Sequence, residues 1–191
     1  MFRDHSLVPA EATRLAALGL LAEAPRRYAD LAAEVRFLTN RIVGPSPELM
    51  GTSLELLRYE GLVAPASGAE NSELVLTAGG RSALESLLRA NLRAPSTDLG
   101  KLGLALKLRF LDQLPAAEQS QQIGLVVAAC ESELARLTDL RARHGTAAGL
   151  FGDWLDHDIA QIEARIVWLK TAGRGASETQ PSARISAPSS A

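Results

Sequence analysis

The sequence predicts a mostly α-helical protein in two parts, with a small β-hairpin in the first part. Apolar residues make up 47% of the 191 residues and aromatic residues only 4%, so Leu, Ala, Val and Ile must build the core. Leucine and alanine, the most frequent of these, favour helices, and the apolar residues recur at helical spacing along most of the chain. Near one third of the length, the turn-forming stretch "SGAEN" separates two short β-type runs, which indicates a hairpin.

Three helices are predicted before the hairpin. Residues 11–24 carry leucines on one side, and Pro25 ends this helix. Residues 27–38 form the second helix. The third begins at Ser46, a good N-cap that precedes a proline, and it stops at Gly61.

The hairpin strands are predicted in residues 62–66 and 72–77, and Thr77 then caps a fourth helix over 78–92. The order helix, helix, helix, hairpin, helix is that of a winged helix-turn-helix. We therefore predict a DNA-binding domain over residues 1–92.

The composition of residues 93–98 predicts a linker, and the residues that follow it have a different apolar pattern. Residues 99–114 are apolar on nearly every side of a helix, which is typical of a helix that is buried all round. Its main apolar side carries Leu102, Leu106 and Phe110.

Two further helices, residues 116–143 and 152–171, each carry an apolar seam with residues spaced 4, 3, 4 and 3. Such seams predict an antiparallel helix pair with coiled-coil-like packing. We predict that residues 99–171 form a helical dimerisation domain and that the Ser-, Pro- and Gly-rich residues 172–191 form a disordered tail. The predicted seam residues are Ile123, Val127, Leu134, Leu155, Ile159, Ile162, Ile166 and Leu169.

Charge and cysteine content exclude several classes of protein. The formal net charge is −2, so the whole chain lacks the basic signature of many nucleic-acid-binding proteins. The single cysteine, Cys130, cannot form an intrachain disulfide. The first residues lack the apolar h-region of a signal peptide, and no run of 18 apolar residues occurs, so we expect a soluble cytoplasmic protein that does not enter membranes.

Several stretches together resemble the PadR family of bacterial transcriptional regulators, in particular its AphA-like branch. They are "LAALGLLAEAPRRYADLAAEV", "PSPELMGTSLELLRYEGLV", "LVLTAGGRSALE", "LRFLDQLPAAEQ" and "WLDHDIAQIEARIVWLK". The resemblance covers residues 8–171. It implies a homodimer whose paired winged helices bind a palindromic operator in double-stranded DNA, commonly as a repressor. It also implies that a small-molecule effector can act on the dimer.

The third helix departs from the chemistry of a DNA-reading helix. Its outward side carries glutamates, with Gly51 at the family's characteristic tyrosine position and Leu56 where a basic residue is common. Local positive charge is instead concentrated in residues 26–41. The predicted phosphate contacts are Arg26, Arg27, Arg36 and Arg41, and the predicted base contacts are Ser46, Thr52 and Ser53.

A second interpretation starts from the apolar side chains on the same outward side. Leu49, Leu56 and Tyr59 would form a protein-contact surface, and the chain would be a dimeric adaptor on a winged-helix frame that no longer reads DNA. Isolated exposed apolar residues are also ordinary on protein surfaces.

Catalysis and metal binding have little support in the sequence, and we expect neither enzyme activity nor a cofactor. The i, i+4 pair Asp153 and His157 is the one candidate for a weak metal site, and we favour a solvated helix start instead, because acidic residues are stabilised at that end of a helix. Cys130 lies on an apolar seam and is expected to be buried. Trp154 and Trp168 either line an effector pocket or belong to an interface core.

Overall fold

A computed structural model describes residues 7–44, 54–67, 72–92, 96–144 and 149–178. This part of the chain is mostly helical and has a two-stranded antiparallel sheet, which confirms the predicted fold class. In chain order its elements are α1 (Pro9–Glu23), α2 (Tyr28–Val43), α3 (Glu55–Tyr59), β1 (Val63–Pro65), β2 (Leu74–Leu76), α4 (Ala78–Arg89), α5 (Asp98–Arg109), a 3₁₀ turn (Leu111–Gln113), α6 (Ala116–Arg143) and α7 (Leu150–Glu178).

The hairpin is tied to the helices in front of it. Strands β1 and β2 pair antiparallel, with Val63 opposite Leu76 and Pro65 opposite Leu74. The Arg26 N–H donates to the Leu74 carbonyl at 3.2 Å, and the Leu74 N–H donates back at 2.7 Å. The connection between α1 and α2 therefore lies along β2, and the elements from α1 to α4 have the order of the predicted winged helix-turn-helix.

The residue predicted to end α3, Gly61, and the residue predicted to cap α4, Thr77, have these roles in the structure. Gly61 adopts φ +70°, a conformation that favours glycine, and the chain leaves α3 there. The Thr77 hydroxyl accepts from the Gly80 N–H at 3.0 Å and donates to the Gly61 carbonyl at 2.7 Å. One side chain thus caps α4 and fixes the end of α3.

Helix α1 is the centre of the core. Every residue from Leu15 to Leu21 is buried, because α2, α4, α5 and β2 all contact this helix. A helix that is buried on all sides must be apolar on all sides, and only leucine, alanine and glycine occur in this stretch.

Helix α5 docks onto α1 and α2. Leu102, Leu106 and Phe110 are at most 1% exposed. A Cβ atom added at Gly19 of α1 would lie 2.5 Å from Cε2 of the Phe110 ring, so the ring occupies the space that the glycine leaves. Although it follows the predicted linker, α5 is therefore part of the core around α1. The predicted domain boundaries remain a prediction.

Helices α6 and α7 pack along each other, with buried residues from both seams between them. Helix α7 continues to Glu178, whereas the tail was predicted to start at residue 172. Helix α7 still lies against α6 at Gly173, where an added Cβ would lie 3.2 Å from Cγ2 of Ile123 at the start of α6. Residues 179–191 of the predicted tail lie outside the described residues.

A buried lysine joins α4, α5 and α6. Lys107 is 2% exposed, and its Nζ donates to the Ala90 carbonyl and to Oε1 of Gln122, both at 2.8 Å. Desolvation lowers the pKa of Lys107 to about 8. The ammonium group satisfies a carbonyl at the end of α4 and a buried amide of α6, and it has no carboxylate partner among the described residues.

The contact between Gly19 and Phe110 predicts a stability difference between two glycine substitutions. We expect Gly19→Ala to lower the free energy of unfolding by about 1–3 kcal/mol, because the methyl group displaces the Phe110 ring. Gly124→Ala on α6 is the matched control, because nothing lies within 4 Å of its added Cβ. That control is expected to be neutral or stabilising by about 0.5–1 kcal/mol. Equal effects in urea unfolding would contradict the contact.

The lowered pKa of Lys107 determines how we expect the free energy of unfolding to depend on pH. Its pKa is lower in the folded protein, so between about pH 8 and 10.5 the unfolded chain binds more protons and stability rises with pH. The full rise is about 3 kcal/mol for this shift. We expect Lys107→Met to lack this component, so that the difference between the two unfolding free energies changes by that amount from pH 7 to 11. Parallel pH profiles in urea unfolding would refute the prediction.

Candidate DNA-binding surface

Arg26 is engaged within the chain. Its Nε donates to the Leu20 carbonyl at 3.4 Å, and its guanidinium lies 3.6 Å from the carboxylate of Glu23. Glu23 also binds Arg109, at 3.2 Å. Since its backbone pairs with Leu74, Arg26 holds α1, the hairpin and the end of α5 together, and its charge is partly neutralised by Glu23.

The other three predicted phosphate contacts are exposed: Arg27 directly precedes α2, and Arg36 and Arg41 lie on it. Arg27 pairs with Asp30 at 2.9 Å at the start of the helix. Arg36 donates from Nε to the Ala32 carbonyl of its own helix, and Arg41 lies 5.3 Å over the exposed ring of Phe37. Within the described part of the chain Arg36 and Arg41 have no ion pair, so both keep a full charge for an external anion.

The described part of α3 shows the two-sided pattern expected from its sequence. Leu54 and Leu57 are buried, whereas Leu56 is 49% and Tyr59 90% exposed. Arg58 is exposed on this helix and has no ion pair with any described residue. The predicted base contacts Ser46, Thr52 and Ser53 lie outside the described residues.

Arg58 and Arg81 are two further exposed arginines of the helix and hairpin region, beyond the predicted contacts. Arg58 was not among the predicted contacts, because the glutamates around it dominate the sequence of α3. In the fold, the carboxylate of one of these glutamates, Glu60, forms an ion pair with Arg14 of α1 at 2.8 Å. Arg81 is exposed at the start of α4, and it too has no ion pair within the described segments.

The predicted dimerisation residues are used inside the single chain. All except Leu134 and Ile159 are less than 9% exposed, and those two pack against the core while partly buried. Leu102, Leu106 and Phe110 face α1 and α2, and the other eight lie in α6 and α7, whose packing already fills the two seams. Any contact with a second chain must therefore use side chains that remain exposed.

Exposed aromatic side chains occur along α7. Trp154 is 50% and Trp168 54% exposed. Phe151 stacks on Trp154 with ring centroids 5.9 Å apart and meets His144 of α6 edge-on at 5.8 Å. Large exposed aromatics are typical of protein interfaces.

The remaining candidate residues, Cys130 and His157, lie on α6 and α7. Within the described ranges, no group of three or more His, Cys, Asp or Glu side chains is arranged to hold a metal ion. Nε2 of His157 lies 2.6 Å from the Gln161 amide. Cys130 is buried as predicted, and burial raises the pKa of its thiol, which makes it a poor nucleophile. None of the described helices is long and apolar enough to cross a membrane.

A family model with the description "Putative AphA-like transcriptional regulator" matches residues 2–172. Among solved structures, the chain is similar to Bacillus subtilis PadR, at 18% identity and a TM-score of 0.37, covering 91% of this chain and 99% of that one. It is also similar to the same protein in complex with p-coumaric acid (19% identity, TM-score 0.36, 87% and 99% covered). A complex of that protein with operator DNA is similar at 19% identity and a TM-score of 0.35, with 85% and 98% covered. No curated protein matches the chain.

Proposed function

This chain belongs to the AphA-like family of transcriptional regulators, as its motifs predicted, and we propose that it is a homodimer that binds a palindromic operator and represses transcription. The family consists of regulators and not of enzymes. A protein with this role works in the cytoplasm, where the chromosome of a bacterium lies.

The observation that carries DNA binding is the set of exposed arginines on the helix-turn-helix. Arg36, Arg41 and Arg58 have no ion pair with any described residue. In helix-turn-helix proteins the first helix of the motif crosses the phosphate backbone and the second enters the major groove. Arg36 and Arg41 on α2 suit phosphate contacts, and Arg58 on α3 adds charge next to the groove.

The roles of the predicted contacts then differ. Arg27 can exchange Asp30 for a phosphate, because its ion pair is exposed and such pairs contribute little. Arg26 acts through structure, since its contacts with Glu23 and Leu74 set the hairpin against α1. Ser46, Thr52 and Ser53 remain the proposed base contacts.

The dimer would bring two heads to one duplex. Two identical winged helices related by a twofold axis match a palindrome whose half-sites lie about 34–36 Å apart. The predicted leucine seams support this dimer indirectly, because they hold α6 and α7 in one rigid pair. A small-molecule effector would act by changing the spacing between the two heads.

One specific observation favours the adaptor interpretation. Tyr59 is 90% exposed and Leu56 49% exposed on the same short helix, where a groove-reading helix usually presents polar side chains. In that case the winged helix would dock on a protein, and the exposed arginines would be a solvated surface.

The arginines on α2 give the direct test. We expect the double substitution Arg36→Ala and Arg41→Ala to weaken operator binding at least about tenfold at moderate salt, because four phosphate contacts per dimer are lost. The slope of log K against log salt should become shallower by about 3–4. The measurement is fluorescence anisotropy on the DNA upstream of the protein's own gene, at several salt concentrations.

The matched control is the double substitution Arg143→Ala and Arg174→Ala on α6 and α7, which removes the same charge far along the chain from the helix-turn-helix. An unchanged salt slope in the α2 variant, or an equal change in the control, would remove α2 from the interface. Wild-type binding that is no tighter to upstream DNA than to random duplex would favour the adaptor.

A further inference from the structure

A cleft of about 150 Å³ lies where the start of α5 meets α6 and α7. Lys101 of α5, Cys130 of α6 and Ile162 of α7 line it from three helices. Cys130 and Ile162 are buried, so the wall between α6 and α7 is apolar. A cavity of this volume holds a molecule of about six non-hydrogen atoms, the size of benzene. The cleft therefore suits a small ligand and excludes a large one.

Four charged side chains line the cleft, two of each sign: Lys101, Arg165, Glu133 and Asp158. Two of them have partners. The Lys101 ammonium group lies 3.7 Å from the Asp98 carboxylate. Glu133 forms an ion pair with Arg136. Asp158 and Arg165, both half-buried on α7, form no ion pair with any described residue. The cleft thus offers one negative and one positive charge to a ligand, and these charges gain from such a partner because burial has removed part of their hydration.

The spacing of the two unpaired charges sets the shape of the ligand. Asp158 and Arg165 are seven residues apart on one side of α7, which is about 10.5 Å along the helix axis. This separation leaves a gap between their charged groups. In an α-amino acid the ammonium nitrogen and the carboxyl carbon are about 2.5 Å apart. With an ion pair of up to about 4 Å at each end, such a molecule spans the gap.

We propose that this cleft binds a small, neutral α-amino acid, such as L-alanine, L-serine or L-valine. The carboxylate of the ligand binds the Arg165 guanidinium, and its ammonium group binds the Asp158 carboxylate. Its short side chain lies against Cys130 and Ile162. An amino acid with a charged side chain would bring a third charge for which the cleft has no partner, and an aromatic one would exceed its volume.

The ligand would also connect two parts of the chain. Lys101 and Ser96 belong to α5 and the segment before it, whereas Asp158 and Arg165 belong to α7. Since α5 shares the core with α1, a ligand that contacts both walls stabilises one position of the winged helix relative to α6 and α7. A ligand shifts a conformational equilibrium only by its difference in affinity for the two states, and here that difference comes from contacts that exist only when both walls are close. This regulatory effect rests on the proposed function, whereas the binding site does not.

Isothermal titration calorimetry on the full chain tests the site with three probes, L-alanine, L-serine and L-valine. We expect at least one of them to bind with a dissociation constant below about 1 mM. Propionate and ethylamine are matched ligands, because each is alanine without one of its two charged groups. Both should bind at least about tenfold more weakly than the tightest of the three probes, since each leaves one charge of the cleft unpaired.

Substitutions in the protein test the same contacts. Arg165→Gln and Asp158→Asn each remove one charge and keep a polar side chain, and each should raise the dissociation constant at least about tenfold. The matched controls Glu163→Gln and Arg174→Gln remove charges from exposed positions of α7 outside the cleft and should bind the probe as the wild type does. Circular dichroism checks that each variant folds. The series of matched ligands uses the wild type alone, so it decides the question even where a variant unfolds.

Three results would overturn the site. They are no heat from any of the three probes at about 5 mM, propionate or ethylamine binding as tightly as the amino acid, and wild-type affinity in either cleft variant. None of them bears on DNA binding, which the arginines of α2 decide separately.

The regulatory effect has its own measurement. Fluorescence anisotropy on upstream DNA, with and without the probe that binds, should show operator affinity changing at least about fivefold. Unchanged operator affinity would overturn this effect and leave the binding site standing. A protein that binds the amino acid and no DNA would overturn the proposed function and support the site.

Discussion

The contact on which the rest of the structure depends is the Phe110 ring against the backbone of Gly19. It lets α5 approach α1 closely, and α1 is in turn surrounded by α2, α4 and β2. The winged helix therefore shares its core with the helix that leads to α6 and α7. Lys107 strengthens the same junction, since its ammonium group satisfies one acceptor at the end of α4 and another on α6. The geometry of the head and the start of the long helices are thus determined by one continuous core.

The arginines fall into two groups, according to whether they have carboxylate partners on other elements. Arginines that hold elements together have carboxylate partners on other elements: Arg14 binds Glu60, Arg89 binds Glu118 at 2.6 Å, and Arg109 binds Glu23. Hydrogen bonding to Arg89 lowers the pKa of Glu118. Arg36, Arg41 and Arg58 on α2 and α3 lack an ion-pair partner among the described residues, and the proposed function assigns them to DNA. A net charge of −2 conceals this division.

Much of the fold follows from local signals in the sequence. Gly61 and Thr77 were identified as caps because the required backbone conformation and the hydroxyl acceptor are local properties. Helix α2 runs to Val43, beyond the predicted end at residue 38, and it ends at Gly44, which adopts φ +79° and donates its N–H to the Asn40 carbonyl at 3.0 Å. Contacts between segments that are far apart in the sequence could not be predicted from it. Arg26 looks like any surface arginine until Leu74 is placed beside it, and a leucine seam looks the same whether its partner helix belongs to the same chain or to another.

The length of α6 has a mechanical consequence. Its 28 residues span about 42 Å, and the helix starts just behind the docked end of α5. Because of this length, a rotation of about 5° at the base of α6 displaces its far end by about 4 Å. An adjustment of side chains near Phe110 and Lys107 that rotated the base of α6 would therefore have its largest effect at the far end of the helix.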